Sequence, residues 1–514
     1  MQLLHELIER VAATAPDTPY FHYQGETFTY GRTQEISQRL ARALAGAGVR
    51  PGDRVAVMIS NRPELIPCYF ACWKLGAIIV PLNTRYQRRE AAHALEHSGS
   101  VAFICESRYF PIVEPLCRKD HLHDHTVLID AKLNGLTDFP DWEDFLAGAP
   151  EEIEWPEVTL ETPTNFMYTS GSTAMPKGVL HCHRTFWEMA RILNEYMVSP
   201  QIGTGGALLP ACYIGALLYL VMNAAYMGKD FVLIHDKNID EFLAAVPKYQ
   251  ITYTVLLPTD LINLLEHPKF RETDWSSLLW VGAGGDKVPV DAQHDFQEVT
   301  GLEVTEIYGM SEFGHVIGNE PYGPKHYGTM GKEVAGVSCE LRADDGKTLV
   351  PDGEIGNLWV KSPAHMLEYW NNPQATRETI VDDWLNTGDQ ATRDAEGYYS
   401  FVGRSKLIIV HGGSNISPQQ VEEVIDHHPA VSSCCVVGVP DRKYGETVMA
   451  WVVLHGYPGA PPTPDDIILY ARQRIAHYKC PERVVFLEKM PYTPSGKMDR
   501  QGLKRRAAEE FGNA

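Results

Sequence analysis

From the N-terminus to about residue 400, short β-rich runs alternate with segments of helical period, and this alternation narrows the possible folds sharply. "RVAVMIS" (residues 54–60) is strand-like, "RPELIPCYFACWKLGA" has helical periodicity, and "IIVPLN" is strand-like again. "KDFVLIH" and "ITYTVLLP" repeat the pattern further along. Strands separated by helices pair in parallel, because the crossover must carry the chain back over the sheet. The expected class is α/β, with a large N-terminal domain of mainly parallel sheets and helices over residues 1–403. Within it, "RADDGKTLVPDGEIGNLWVKS" (residues 342–362) places Gly and Asp turns between short strands and predicts a β-rich subdomain at about residues 330–403. Beyond Arg404 come a strand ("KLIIV"), a flexible loop ("HGGSN") and a helix over "SPQQVEEVIDHH". Ser417 is its expected N-cap, Pro418 lies in its first turn, and Gln420 closes a capping box. Two further strands, "SCCVVGVPD" and "TVMAWVVLH", complete a small α+β domain over residues 404–514.

A chain of 514 residues exceeds what one hydrophobic core supports. With 44% hydrophobic and 22% charged residues it reads as soluble and globular. No apolar run is long enough for a membrane span, and "MQLLHELIERVAATAPD" reads as an amphipathic helix with acids rather than an export signal, so the expected location is cytoplasmic. A net charge of −21 argues against nucleic acid as a partner. An anionic ligand would have to be held by local donors and a few cations. Cys68 and Cys72 sit at helical spacing without a second pair, so the ten scattered cysteines read as buried thiols.

The densest polar motif is "YTSGSTAMPKG" (residues 168–178). Glycines let the main chain approach phosphate oxygens, hydroxyls and N–H groups donate, and a lysine neutralises charge. Composition alone leaves a polar surface loop equally open. The motif is not a Walker loop, since Pro176 precedes Lys177 and Gly178 follows it. Further on lie "IYGMSE" (residues 307–312), "WLNTGDQ" (384–390), "GRSKLIIVHGGSNISP" (from 403) and "PYTPSGKMDR" (491–500). Singly, NTGD is a good turn and a lone C-terminal lysine is ordinarily solvated. In this order the five motifs resemble the adenylate-forming (AMP-binding) superfamily: acyl-CoA synthetases, peptide-synthetase adenylation domains and beetle luciferases. The resemblance runs from "FTYGRTQEISQRLARALAGAGVRPGDRVAVMISN" to "PYTPSGKMDR", nearly the whole chain.

The resemblance implies an acid–CoA ligase with two half-reactions and with ATP, Mg2+ and CoA as cofactors. A carboxylate attacks the α-phosphorus of ATP, and a thiol then displaces AMP. Thr169, Ser170, Gly171, Ser172, Thr173 and Lys177 match the phosphate loop. Glu312 matches the Mg2+-binding carboxylate, and Ser311 beside it would orient phosphate. Tyr308, in the motif with Gly309 and Met310, would stack on adenine near Gly284. Asp389 and Arg404 would contact the ribose. Lys497 matches the lysine that bridges carboxylate and α-phosphate, and with Glu312 makes the catalytic pair. Lys406 stands at the hinge about which the mobile C-terminal domain turns, and Gly412 and Gly413 match the loop beside the pantetheine arm.

Several residues depart from the family pattern. Ala174 stands for a usual Gly, Gln420 for Glu, Leu407 for Asp, Tyr213 for a common His, and "GGDKV" (residues 284–288) for Gly-Gly-Ala-Pro-Leu. These bear on loop detail and substrate fit. The segments matching the acid pocket supply Tyr213, Ile214, Gly215, Gly282 and Ala283, with Leu217, Val281, Met310 and Phe313 near them, and none is charged. Ile214 stands where amino-acid-activating relatives carry Asp to pair the ammonium, so the acid is not expected to be an α-amino acid, and the uncharged segments make an apolar monocarboxylate the expected substrate. Gly215, Gly282 and Ala283 are expected to leave room, and the reading leans to a medium or long fatty chain over an alicyclic or aromatic ring. Transfer to an acyl carrier protein, and a catalytically silent acyl-nucleotide binding protein, stay open as alternatives. Oligomeric state is left open, a dimer included.

Overall fold

A computed structural model describes residues 1–117, 122, 125–169, 176–285, 288–404, 409–416, 418–455, 461–491 and 499–512. The chain forms two compact units. The first holds residues 1–84, 95–168 and 178–403; the second holds 85–94, 169–177 and 404–514.

Among the described residues the first unit carries three sheets. The central strands of the nine-stranded sheet run parallel: Phe231–Leu233, Gly205–Ala207, Tyr253–Leu256, Trp280–Gly284 and Thr305–Met310 are successive neighbours. In the seven-stranded sheet, Arg54–Met58 pairs in parallel with both Ile78–Pro81 and Ala102–Glu106. The alternation read from the sequence is thus the βα pattern of a mainly parallel fold. One core cluster draws Val55 and Ile79 from one sheet and Phe231 and Tyr253 from the other. The helix Leu65–Leu75 is apolar all round because nearly every side of it is buried in this core, Cys68 and Cys72 included. All ten cysteines are buried, and burial pushes the Cys68 thiol well up. The third sheet is five-stranded and mostly antiparallel, and joins Ser338–Arg342, Gly356–Lys361, Trp384–Arg393 and Tyr399–Arg404. Among the described residues no helix is long and apolar enough to cross a membrane.

The helical stretch from Ile214 to Met227 is not uniform. Leu217–Met222 forms a π-helical turn between two α-helical pieces. Such a turn widens the backbone and shifts its carbonyls, and it recurs at functional sites. Here tyrosine hydroxyls reach those carbonyls: Tyr253 donates to Tyr219 at 2.8 Å and Tyr20 to Val221 at 2.9 Å.

The second unit builds a five-stranded sheet from Ile409–His411, Ser414–Ile416, Val431–Asp441, Gly445–Leu454 and Arg483–Leu487. The helices Pro418–Asp426, Pro464–Arg472 and Arg500–Phe511 belong to the same unit. One expectation needs correction. "HGGSN" is a tight hairpin rather than a flexible loop: His411 pairs with Ser414, and Gly412 and Gly413 lie at φ 56° and 73°. Positive φ at both central residues gives the turn a twist that suits the flanking strands. Ser417, the expected N-cap of the following helix, lies outside the described residues; its expected capping partner is Gln420. The Gln420 amide oxygen accepts from Lys479 Nζ at 3.1 Å in a buried cluster.

Candidate active site

Glu312 follows the strand Thr305–Met310 and is only 4% exposed. The Tyr369 hydroxyl donates to its Oε1 at 2.7 Å. Tyr369 stands opposite Val179 in a short antiparallel pairing, which fixes its position. Burial pushes the Tyr369 phenol far above its ordinary range and the Glu312 charge adds to this, so the phenol stays protonated and donates. The neighbouring Ser311 is held through its carbonyl, which accepts from His181 Nε2 at 2.7 Å. Burial drives the His181 imidazole down to about 4, so at neutral pH it is uncharged, with Nε2 as the protonated nitrogen.

Asp389 lies in the strand Trp384–Arg393 and is 2% exposed. Asn357 and Trp359, two apart, pair with Gln390 and Asn386, four apart, so the strand bulges between those partners. Gly388 supplies φ 72° at the bulge, and Thr387 Oγ1 accepts from the Asp389 backbone N–H at 3.0 Å. Bulges re-aim side chains beside active sites, and this one presents the Asp389 carboxylate to Tyr308, whose hydroxyl donates to Oδ2 at 2.7 Å. NTGD is therefore a kink inside a strand. Its adjacent Gly and Asp were the visible signal. The fold brings Tyr308, a residue expected at adenine, onto Asp389, a residue expected at ribose. Gly284 sits one strand away, opposite Ile307, where a Cβ would lie 2.3 Å from the Ile307 carbonyl oxygen. Only glycine permits that approach of the two backbones. Gly309 and Met310 close the strand that carries Tyr308.

On the acid side, Tyr213 caps the helix that opens at Ile214, and Asn83 Nδ2 donates to its hydroxyl at 2.7 Å. Gly215 has room, since an added Cβ would meet only Leu209 Cδ1, at 3.5 Å. The other two residues expected to leave room do not. A Cβ at Gly282 would lie 2.3 Å from Trp280 Cη2, so the indole already occupies that space. The Ala283 methyl is buried in a separate core cluster with Phe242, Leu261 and Phe296, because alternate residues of a strand face opposite sides. Val281 joins it there, and Leu217 and Phe313 are buried in the main core.

The remaining expected residues belong to the second unit or lie outside the described residues. Thr169 ends the strand Pro163–Thr169, Lys177 opens Lys177–Cys182, and both are half-buried. Gly412 and Gly413 form the hairpin tip, and Arg404 ends the strand Tyr399–Arg404. Ser170, Gly171, Ser172, Thr173, Lys406 and Lys497 lie outside the described residues, as do Ala174 and Leu407. Sequence reasoning missed Tyr369, His181, Asn83 and Trp280. Each acts on a partner far off in the chain or through a neighbour's missing side chain, and no local spacing announces that.

The AMP-binding enzyme family profile matches residues 8–370, and the AMP-binding enzyme C-terminal domain matches residues 420–497. A feruloyl-CoA synthase from Amycolatopsis sp is 33% identical over 502 residues, 97% of each chain. A fatty acid–[acyl-carrier-protein] ligase from Streptomyces coeruleorubidus is 30% identical and covers 98% of this chain and 96% of its own. The amide bond synthetase McbA from Marinactinospora thermotolerans superposes with a TM-score of 0.87 at 28% identity, covering 97% of this chain and 99% of its own. With matches of this length, the chain belongs to the AMP-binding enzymes, the adenylate-forming family of the acid–CoA ligases, whose acyl-CoA ligases use ATP, Mg2+ and CoA.

Proposed function

We propose that this chain is an ATP-dependent acid–CoA ligase acting on an apolar monocarboxylic acid. The observation that carries the reading is the 2.7 Å hydrogen bond from Tyr308 to Asp389, with Glu312 four residues on from Tyr308 held by Tyr369. It joins an aromatic face, a diol-accepting carboxylate and a hard oxygen donor from two distant motifs. A carboxylate offers about four lone-pair sites, enough for two vicinal ribose hydroxyls besides the phenol. Glu312 would hold Mg2+, since a buried, oriented carboxylate oxygen suits this cation. The ion supplies charge neutralisation at the triphosphate.

In the first half-reaction a substrate carboxylate oxygen bonds to the α-phosphorus while the bond to the β-phosphate oxygen breaks, and pyrophosphate leaves with the electron pair. Asp389 and Tyr308 hold the nucleoside in line, and the cations that two approaching anions require are the part that the family motifs assign to Lys177 and Lys497. In the second, the CoA sulfur bonds to the acyl carbon, the bond to AMP breaks, and the thiol proton passes to solvent. The uncharged segment at Tyr213, Ile214 and Gly215 supports an apolar acid, to which hydrocarbon burial adds about 0.8 kcal/mol per CH2.

The test is acid-dependent pyrophosphate release with acetate, octanoate, benzoate, cyclohexanecarboxylate and malonate, with and without CoA, and mass detection of the thioester. Octanoate, benzoate or cyclohexanecarboxylate should lead, and the thioester should form with CoA. Acetate or malonate as best acid would overturn the apolar pocket. Acyl-AMP that never passes to CoA would overturn the acceptor, and a carrier-protein thiol would take its place.

A further inference from the structure

Gly282 and Trp280 lie on the same face of one strand, two residues apart. The indole of Trp280 folds over the bare Cα of Gly282, where an added Cβ would meet Cη2 at 2.3 Å and Cζ3 at 2.9 Å. Trp280 is 1% exposed. Its ring runs near-parallel to that of Tyr219, with centroids 6.4 Å apart and planes 9° apart, within the range of offset aromatic pairs.

Tyr219 is itself pinned at both ends. Its hydroxyl is hydrogen-bonded to His315 Nδ1 at 2.7 Å, and its carbonyl, in the π-helical turn, accepts from Tyr253 at 2.8 Å. Tyr253 in turn accepts from Asn223 Nδ2 at 3.0 Å. A ring anchored through two elements does not swing aside as a lone surface tryptophan can.

Tyr213 and Gly282, at the expected acid site, lead to Tyr219 and Trp280 along the same two elements. We propose that Trp280, backed by Tyr219, is a specificity-determining floor that ends the acid pocket at Gly282 and selects a compact, ring-sized acid over a long fatty chain. The inference rests on the acid–CoA ligase reading above and narrows its substrate class. A long methylene chain needs the space beyond Gly282. A flat ring attached to the carboxyl directly or by a short spacer does not, and it gains from an aromatic wall. The π-turn has a place in this design, because it turns the Tyr219 carbonyl to the hydroxyl that locks it.

The experiment is kcat/KM for pyrophosphate release with benzoate, cinnamate, hexanoate and dodecanoate, on the wild-type chain and on Trp280→Leu. Wild type should favour benzoate or cinnamate over dodecanoate by about a hundredfold, and Trp280→Leu should narrow that gap by about tenfold or more. Dodecanoate as the best wild-type acid overturns the proposal, whether or not the variant folds. So does a Trp280→Leu protein that melts as wild type does and keeps the wild-type ranking. A chain that releases pyrophosphate with none of these four acids, nor with any of the five acids tested above, would instead remove the ligase reading beneath it, an outcome distinct from a wrong ranking.

Discussion

Glu312 and Asp389 in the first unit are met by tyrosine hydroxyls, whereas Glu90 and Glu422 in the second are met by Lys479 and Arg500. Lys479 and Glu90 are each 1% exposed and 2.7 Å apart, and the Ala476 backbone N–H also donates to Glu90 at 2.8 Å. Arg500 grips Glu422 with both terminal nitrogens, the second at 2.9 Å from Oε2. A cation cancels the charge it holds. A phenol orients a carboxylate and leaves its charge in place. On the function proposed above, Glu312 and Asp389 are carboxylates kept for a ligand, whereas Glu90 and Glu422 build the fold, as Asp260 does in the first unit through Lys237. Gln420 fits this division: where the family pattern carries Glu, the amide lets Lys479 balance Glu90 alone.

The division breaks first, and most heavily, at Lys479. Lys479→Met leaves Glu90 buried beside an apolar chain, and such a loss costs about 3–5 kcal/mol. Chemical denaturation of the full chain should show the second unit unfolding earlier, and the double variant Lys479→Met/Glu90→Leu should recover most of the loss. If the single variant is as stable as wild type, the buried pair is not structural.

Glu312→Gln should do the reverse. Its side chain keeps an oxygen for the Tyr369 hydroxyl but loses the charge, so pyrophosphate release should fall by about 10²–10³. The thermal midpoint should stay within about 4 °C of wild type. A large drop in melting temperature with normal turnover would place Glu312 among the fold-building carboxylates and erase the comparison.

How far the sequence alone reached follows the same line between local and distant causes. The strands Arg54–Met58, Ile78–Pro81 and Tyr253–Leu256 were legible because period and composition are local properties. Tyr308, Glu312 and Asp389 were legible as motifs. What the sequence withheld was what holds them. Tyr369 lies 57 residues from Glu312, and His181 lies 130 from Ser311. Glycine misled for a related reason. At Gly282 it is small because Trp280 folds over it, and at Gly412–Gly413 it makes a tight hairpin where flexibility was expected. A missing side chain does not say whether the space stays open, is filled by a neighbour, or is needed by the backbone.

The finest division lies within the first unit, between Glu312 and the phenol that aims it. Tyr369→Phe keeps the ring, its burial and the short strand, and removes one hydroxyl 2.7 Å from Glu312 Oε1. Glu312 keeps its charge, so the variant should retain far more activity than Glu312→Gln. A hydrogen bond to a charged group contributes about 1.5–3 kcal/mol, and part of this returns as solvent or ligand oxygens take its place, so the loss in kcat should be about tenfold. An orienting role also predicts a change that packing alone would not produce. The Mg2+ concentration at half-maximal rate should rise, because a carboxylate free to rotate binds the ion less tightly. Titrating Mg2+ at saturating ATP separates the cases. A kcat loss with an unchanged Mg2+ midpoint would mean that Tyr369 supports the strand and not the carboxylate. A loss as deep as that of Glu312→Gln would mean that the phenol itself takes part in the chemistry.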